Sequence, residues 1–162
     1  MTPSLRPMTA DEASAFAANL LEPYIEERIA SGEQPDVARR TAVGQTESLF
    51  PGGTPAPGQL VFRVIDDAGT DVGSLWIGPR APDRPEFFWV WDVAIDEGQR
   101  GKGMGRAAMR MAEDEARAHG ATELGLNVFG HNAVARRLYE SLGYETTAVN
   151  MRKSLGERHS SS

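Results

Sequence analysis

Residues 100–106 read Arg-Gly-Lys-Gly-Met-Gly-Arg, with three glycines alternating with Lys102 and Met104 between Arg100 and Arg106. The chemistry this composition suits is the binding of a phosphate. Gly101, Gly103 and Gly105 permit φ > 0 and let a ligand reach the backbone without Cβ atoms in the way. After them Met104, Ala107, Ala108, Met111 and Ala112 recur at helical spacing. The first amides of such a helix lack an internal partner and lie at the positive end of its dipole, so the turn before it attracts an anion. The other reading is a tight strand-to-helix connection without a ligand. Three glycines flanked by three cations favour the phosphate.

The elements that hold this turn are legible on both sides. Residues 86–95 are rich in aromatic and β-branched side chains and predict a long strand entering the turn. Gly120 ends the helix that leaves it, and residues 122–129 predict the next strand, in parallel by a crossover. A helix over 132–142 follows, capped by His131 or Asn132 and stopped by Gly143, and residues 144–155 predict a last strand. Upstream, residues 4–8 suit a short first strand. Thr9 and Glu12 have the capping-box pattern, which starts a helix near Ala10. Pro23 is expected to kink or split that helix, and Gly32 to end it. Pro35 opens a second helix with Val37, Ala38, Val43, Leu49 and Phe50 as its apolar positions. Residues 60–65 and 72–77 predict a hairpin. The expected fold is α/β (α+β), a mixed and mostly antiparallel sheet of six to seven strands flanked by about four helices. It forms a single domain over 1–155, with 156–162 a disordered tail.

Composition narrows the function. The chain has 162 residues, no cysteine and a formal net charge of −6. Disulfides, thiolate metal sites and a cysteine nucleophile are excluded. The three histidines, His119, His131 and His159, have no metal-ligand spacing, so no metal is expected. The acidic balance argues against nucleic acid, and the absence of long apolar runs argues against a membrane partner. A cytoplasmic location is the default expectation. The charge is uneven: residues 1–98 hold 16 acidic and 7 basic side chains, residues 99–162 hold 7 and 10. One half suits an anionic ligand, and the other attracts a cationic one unless its charges are merely solvated faces.

Two segments in order carry a resemblance. VAIDEGQRGKGMGR, residues 93–106, has an R/Q-x-x-G-x-G/A loop through Arg100, Gly103 and Gly105. LNVFGHNAVARRLYESLGY, residues 126–144, has an N-x-x-A-x-x-L-Y-E-x-L-G-[FY] helix. From about residue 60 to 155 the chain resembles the GNAT superfamily of acyl-CoA-dependent N-acyltransferases. The first 55 residues fit that family's acceptor-side helices by pattern only. The resemblance implies acetyl-CoA as co-substrate. Backbone groups of Val93, Ala94 and Ile95 would hold the pantetheine arm. Amides of Gly101, Lys102, Gly103, Met104, Gly105 and Arg106, beside Arg100, would cradle the pyrophosphate, and Asn132 would bond the arm. Tyr139 would act as general acid toward the departing thiolate. Asn132 and Tyr139 are seven residues apart, two turns on one helix face and about 10 Å along the axis, so one long arm can touch both.

Each assignment has a structural alternative. Tyr139 lies among Val134, Ala135, Leu138 and Leu142 and suits a core aromatic. Asn132 caps its helix in either case. Trp76, Trp89 and Trp91 read as core, with one of them lining an acceptor pocket. A protonated amine acceptor must lose a proton before it attacks a thioester, so a base is wanted. Where some family members carry a glutamate on the strand before the last helix, this chain has Asn127. Asp92 and Glu86 are the candidate bases; at even spacing they share a strand face unless a bulge intervenes. Asp92 suits a structural acceptor equally well. The expected activity is direct acetyl transfer to a primary amine of a small molecule or peptide, with a cationic acceptor favoured by the acidic first half. The alternatives are an acyl-CoA-binding sensor without turnover and a dinucleotide-binding module, although the latter wants G-x-G-x-x-G early in the chain. Oligomeric state is open to a homodimer.

Overall fold

The computed structural model describes residues 2–156. A first strand β1 (Ser4–Pro7) leads into helices α1 (Ala10–Ala30) and α2 (Pro35–Leu49). Strands β2 (Leu60–Ile65), β3 (Asp71–Pro79) and β4 (Phe87–Ile95) follow as a meander. Helix α3 (Met104–Ala118), strand β5 (Glu123–Leu126) and helix α4 (Ala133–Ser141) complete the order. The five strands form one sheet in chain order, antiparallel from β1 to β4 and parallel between β4 and β5. Among the described residues no helix is long and apolar enough to cross a membrane, and no cluster of ligating side chains could hold a metal.

Alternation along the strands divides the core into two layers. Phe62, Val64, Leu75, Ile77, Phe88 and Val90 face α3, where Met104, Ala108, Met109, Ala112 and Ala116 form the buried stripe. Val61 and Trp76 face the other way, toward Ala13, Ala17 and Phe50. A smaller cluster, Ile25 with Ala38 and Ala42, joins α1 to α2. The capping box forms as expected, with Glu12 N donating to Thr9 Oγ1 at 3.2 Å and Thr9 N to Glu12 Oε1 at 2.9 Å.

Three expectations are corrected. The sheet has five strands, because residues 144–156 form none; Val149, Met151 and Leu155 there are 61%, 90% and 85% exposed. Strand propensity is realised only against a partner edge. Here the available edge, β5, is four residues long, and the segment is tied instead to the end of α1 by Arg152 Nε donating to Ser31 O (2.9 Å). Pro23 does not split α1, which runs unbroken for 21 residues. Its two halves are each anchored by packing, Ala13 and Ala17 on the sheet and Ile25 on α2, and this outweighs one missing hydrogen bond. Of the tail expected to be disordered, residues 157–162 lie outside the described residues.

The third correction concerns β4. Trp76 pairs with Asp92 while Ile77 pairs with Val90, so Trp91 is an extra residue on β4. Such a bulge breaks the two-residue alternation. Phe88, Val90 and then Val93 and Ile95 pack on the α3 side, whereas Trp91 packs with the opposite layer. Glu86 and Asp92 therefore do not share a face.

Candidate active site

The turn between β4 and α3 leaves its amides free. A short 3-10 turn, Glu97–Gln99, follows β4, and then Gly101 and Gly103 adopt φ of 80° and 79°. Side chains with a Cβ reach that region only at a cost of roughly 1–2 kcal/mol. An added Cβ at either position would meet nothing within 4 Å, so these glycines shape the turn and leave clear space before it. Gly105 serves differently: it lies in the first turn of α3, where a Cβ would come 3.4 Å from Leu138 Cδ2 on α4. Helix α3 has no side-chain cap and no acidic residue in its first turn. Among the described residues, no amide from Gly101 to Arg106 donates to a backbone acceptor. The cations fold around the turn. Arg100 Nε donates to Ile95 O (3.0 Å), Lys102 Nζ to Gln99 Oε1 (3.3 Å), and Arg106 Nη2 to Ser141 Oγ on α4 (2.8 Å).

The same strand also opens a cleft. Pairing of β4 with β5 ends at Val90 and Leu126, yet β4 continues to Ile95. From Trp91 onward its outer edge has no strand beside it among the described residues. A cavity of about 280 Å³ lies there, walled by α1 and α2 on one side and by β4, the chain after β5, and α4 on the other. Asp92, Val93, Asn132 and Tyr139 all line it. Ala94 and Ile95 continue along the strand toward the glycine turn, outside the cavity. Asn132 caps α4, its Oδ1 accepting from Ala135 N at 3.2 Å. Tyr139 packs edge-on to Tyr144 at 6.1 Å between ring centres. It also borders a second hollow of about 540 Å³ toward residues 144–152.

The electrostatics single out Asp92. The bulge aims it into the cleft, and no side-chain hydrogen bond or ion pair to it is formed among the described residues. Burial, followed by the nearby Glu27, pushes its pKa up to about 6. Burial raises Glu27 as well, opposed by His131. Tyr139 is raised by burial and then by Asp92, which keeps its phenol protonated. Glu86 is elsewhere. It is exposed, bonded to Arg84 at 3.3 Å, and its pKa is lowered first by its own backbone N–H and then by Arg84. The cavity wall does not include it.

Sequence reading missed Glu27, Tyr24 and Gln45 as cavity residues. A signal existed: Ala17, Leu20, Tyr24 and Glu27 recur at helical spacing on α1, so a carboxylate ends an otherwise apolar stripe. The tryptophans prove to be wall as well as core. Trp76 and Trp91 stack at 5.4 Å and 22°, both border the cavity, and Nε1 of Trp91 is buried without a partner.

A search against known families bears on this arrangement directly: the profile of the acetyltransferase (GNAT) family matches residues 25–144. The chain belongs to the GNAT family. It is similar to the uncharacterized N-acetyltransferase YdgE of Bacillus subtilis (strain 168), 30% identical over 155 residues that cover 94% of this chain and 98% of that protein. YycN of the same organism, also an uncharacterized N-acetyltransferase, is 32% identical over 156 residues, covering 96% and 100%. The crystal structure of YycN superposes with a TM-score of 0.83 at 31% identity, covering 96% of this chain and 100% of that one. The molecule is thus a GNAT acetyltransferase; its glycine turn, α4 and the cleft wall from Glu27 onward fall within the matched region, while Ala17, Leu20, Pro23 and Tyr24 precede it.

Proposed function

We propose that this GNAT acetyltransferase moves an acetyl group directly from acetyl-CoA to the primary amine of a small molecule. Asp92 carries the reading: a recessed carboxylate without a protein partner, in one cavity with Tyr139.

The residues present suit the co-substrate. The unpaired amides from Gly101 to Arg106, the clear space before Gly101 and Gly103, and Arg100, Lys102 and Arg106 around them fit a pyrophosphate. The free edge of β4 at Val93, Ala94 and Ile95 offers donors and acceptors for the amides of a pantetheine arm. Asn132 uses its oxygen for the cap and keeps its side-chain N–H groups for the same arm. Acetyl-CoA supplies the acyl group, already activated as a thioester.

The chain's own groups divide the proton work. Asp92, with a pKa near 6, is ionised at neutral pH yet more basic than an ordinary aspartate, so it attracts the ammonium and takes its proton. A backbone N–H between Val93 and Ile95 meets the charge that develops on the carbonyl oxygen. Tyr139 holds a proton that the departing thiolate needs. A cavity of about 280 Å³ lies at the small end of ligand sites, which favours a small acceptor. A cationic one is favoured by the acidic first half of the chain.

The test is incubation with acetyl-CoA and a panel of amines while free thiol is recorded. Thiol release with an amine supports transfer. CoA binding with no release across a broad panel leaves an acyl-CoA sensor, and absence of CoA binding removes both readings.

A further inference from the structure

Asp92 is one of two carboxylates in the cavity, and the transfer reaction uses only one. Glu27 reaches the same space from α1, one helix removed from the strand that carries Asp92. Neither side chain makes a hydrogen bond or ion pair among the described residues; Asp92 is recessed, whereas Glu27 is exposed and only partly desolvated at the rim. The cavity wall contains no lysine, arginine or histidine among the described residues. His131 acts on Glu27 from outside the wall. Arg28, the next residue on α1, is committed to Glu33 and to the hydroxyl of Tyr24, to which its Nη1 donates at 2.8 Å. The wall they share is rich in aromatic side chains, Tyr24, Phe50, Trp76 and Trp91 among them.

Two unpaired carboxylates facing one cavity repel each other, and Asp92 in addition loses hydration. A monoamine at Asp92 would leave Glu27 answered by water alone. Two ammonium groups on one molecule satisfy both acids, and an aliphatic spacer between them packs on the aromatic wall, whose ring faces also attract cations. We propose that the acceptor is a linear aliphatic diamine, one nitrogen presented to Asp92 for acetylation and the other retained as an ammonium ion by Glu27. This rests on the acetyltransferase reading above. The reacting nitrogen gives up two protons: one goes to Asp92 before attack, and the other, once its bond to the acyl carbon has formed and the C–S bond has broken, replaces the proton that Tyr139 gives the departing thiolate. The second nitrogen stays protonated throughout, so Glu27 is a binding group for this acceptor and takes no part in the chemistry.

The experiment compares putrescine and cadaverine with butylamine and pentylamine, recording thiol release from acetyl-CoA in the wild type, Glu27→Gln and Glu27→Asp. The wild type should prefer each diamine over its monoamine by about tenfold or more in kcat/KM, the scale of one charge-assisted hydrogen bond. Glu27→Gln should bring that ratio close to one, mainly through KM, and Glu27→Asp should restore part of it. A merely structural role for Glu27 would lower both rates alike and keep the ratio. Equal use of diamine and monoamine by the wild type, or an unchanged ratio in Glu27→Gln, overturns the proposal. If no amine releases thiol, transfer itself fails, and calorimetry then reads the second-cation site separately. Putrescine binding to the CoA-loaded protein that weakens about tenfold in Glu27→Gln supports the site, and absence of binding overturns it.

Discussion

At the residue scale, Asp92 combines two properties that usually exclude each other, burial and the lack of a partner. The consequence for catalysis is an acidic limb in kcat/KM centred near pH 6, the value to which burial and Glu27 push this carboxyl. Below it the aspartate is protonated and takes no proton from the acceptor. Asp92→Asn should abolish the limb and lower the rate by about 100-fold or more. Glu27→Gln should move it to lower pH, since Glu27 is one of the two causes of the rise. The same carboxyl makes a prediction about stability. Its folded pKa lies above that of the unfolded chain, so between about pH 4 and pH 6 the native state holds a proton that the unfolded chain has released, and stability falls as pH rises through that window. Asp92→Asn should therefore stabilise the protein above pH 6, by up to about 3 kcal/mol in urea unfolding, and add nothing below pH 4. A variant that is inactive yet more stable would mark a site built at the expense of the fold. Tyr139→Phe should lower turnover more than CoA affinity, and an unchanged rate would remove the acid role.

At the scale of elements, the bulge in β4 and the glycine turn do different work on one strand. The bulge re-aims Asp92 from the packed side to the cleft, and nothing in residues 86–95 taken alone announces it, because it arises from the register with β3. The turn, by contrast, is written in its residues: φ of 79° at Gly103 is a glycine conformation. Gly103→Ala should cost about 1 kcal/mol of stability and weaken CoA binding, read by calorimetry. Gly98→Ala is the control, since Gly98 has no positive φ and an added Cβ there meets nothing within 4 Å. Helix α1 offers a complementary case. Pro23 lies inside it without splitting it, so Pro23→Ala should restore a backbone donor and raise stability by about 1–3 kcal/mol in the same unfolding assay.

At the scale of the whole molecule, charge is uneven along the chain, as the proposed pair of ligands of opposite sign requires. Arg100, Lys102 and Arg106 of the basic second part lie at the glycine turn, while the acids of the first part include both carboxylates of the cavity. Exposed attraction of this kind is screened by salt, so CoA affinity should fall several-fold between about 50 and 500 mM NaCl. What the sequence determined by itself is everything that rests on local spacing: the capping box at Thr9, the α3 stripe, the glycine turn with its basic flanks, and the face shared by Asn132 and Tyr139. Such features are set by backbone geometry within a few residues, and the same residues carry the family resemblance. What only the tertiary structure decided is everything that depends on elements distant in the chain. Residues 144–155 are expected as a strand, but they pair with no edge. Glu86 and Asp92 have matching parity, but the bulge separates them. Glu27 reads as one acid among many on α1, and it becomes part of the site only because α1 lies across the cleft from Asp92, a placement set by the packing of Ala13 and Ala17 on the sheet. The glycine turn therefore pointed to a phosphate-bearing ligand from sequence alone, whereas the cavity beside it is assembled only by the fold.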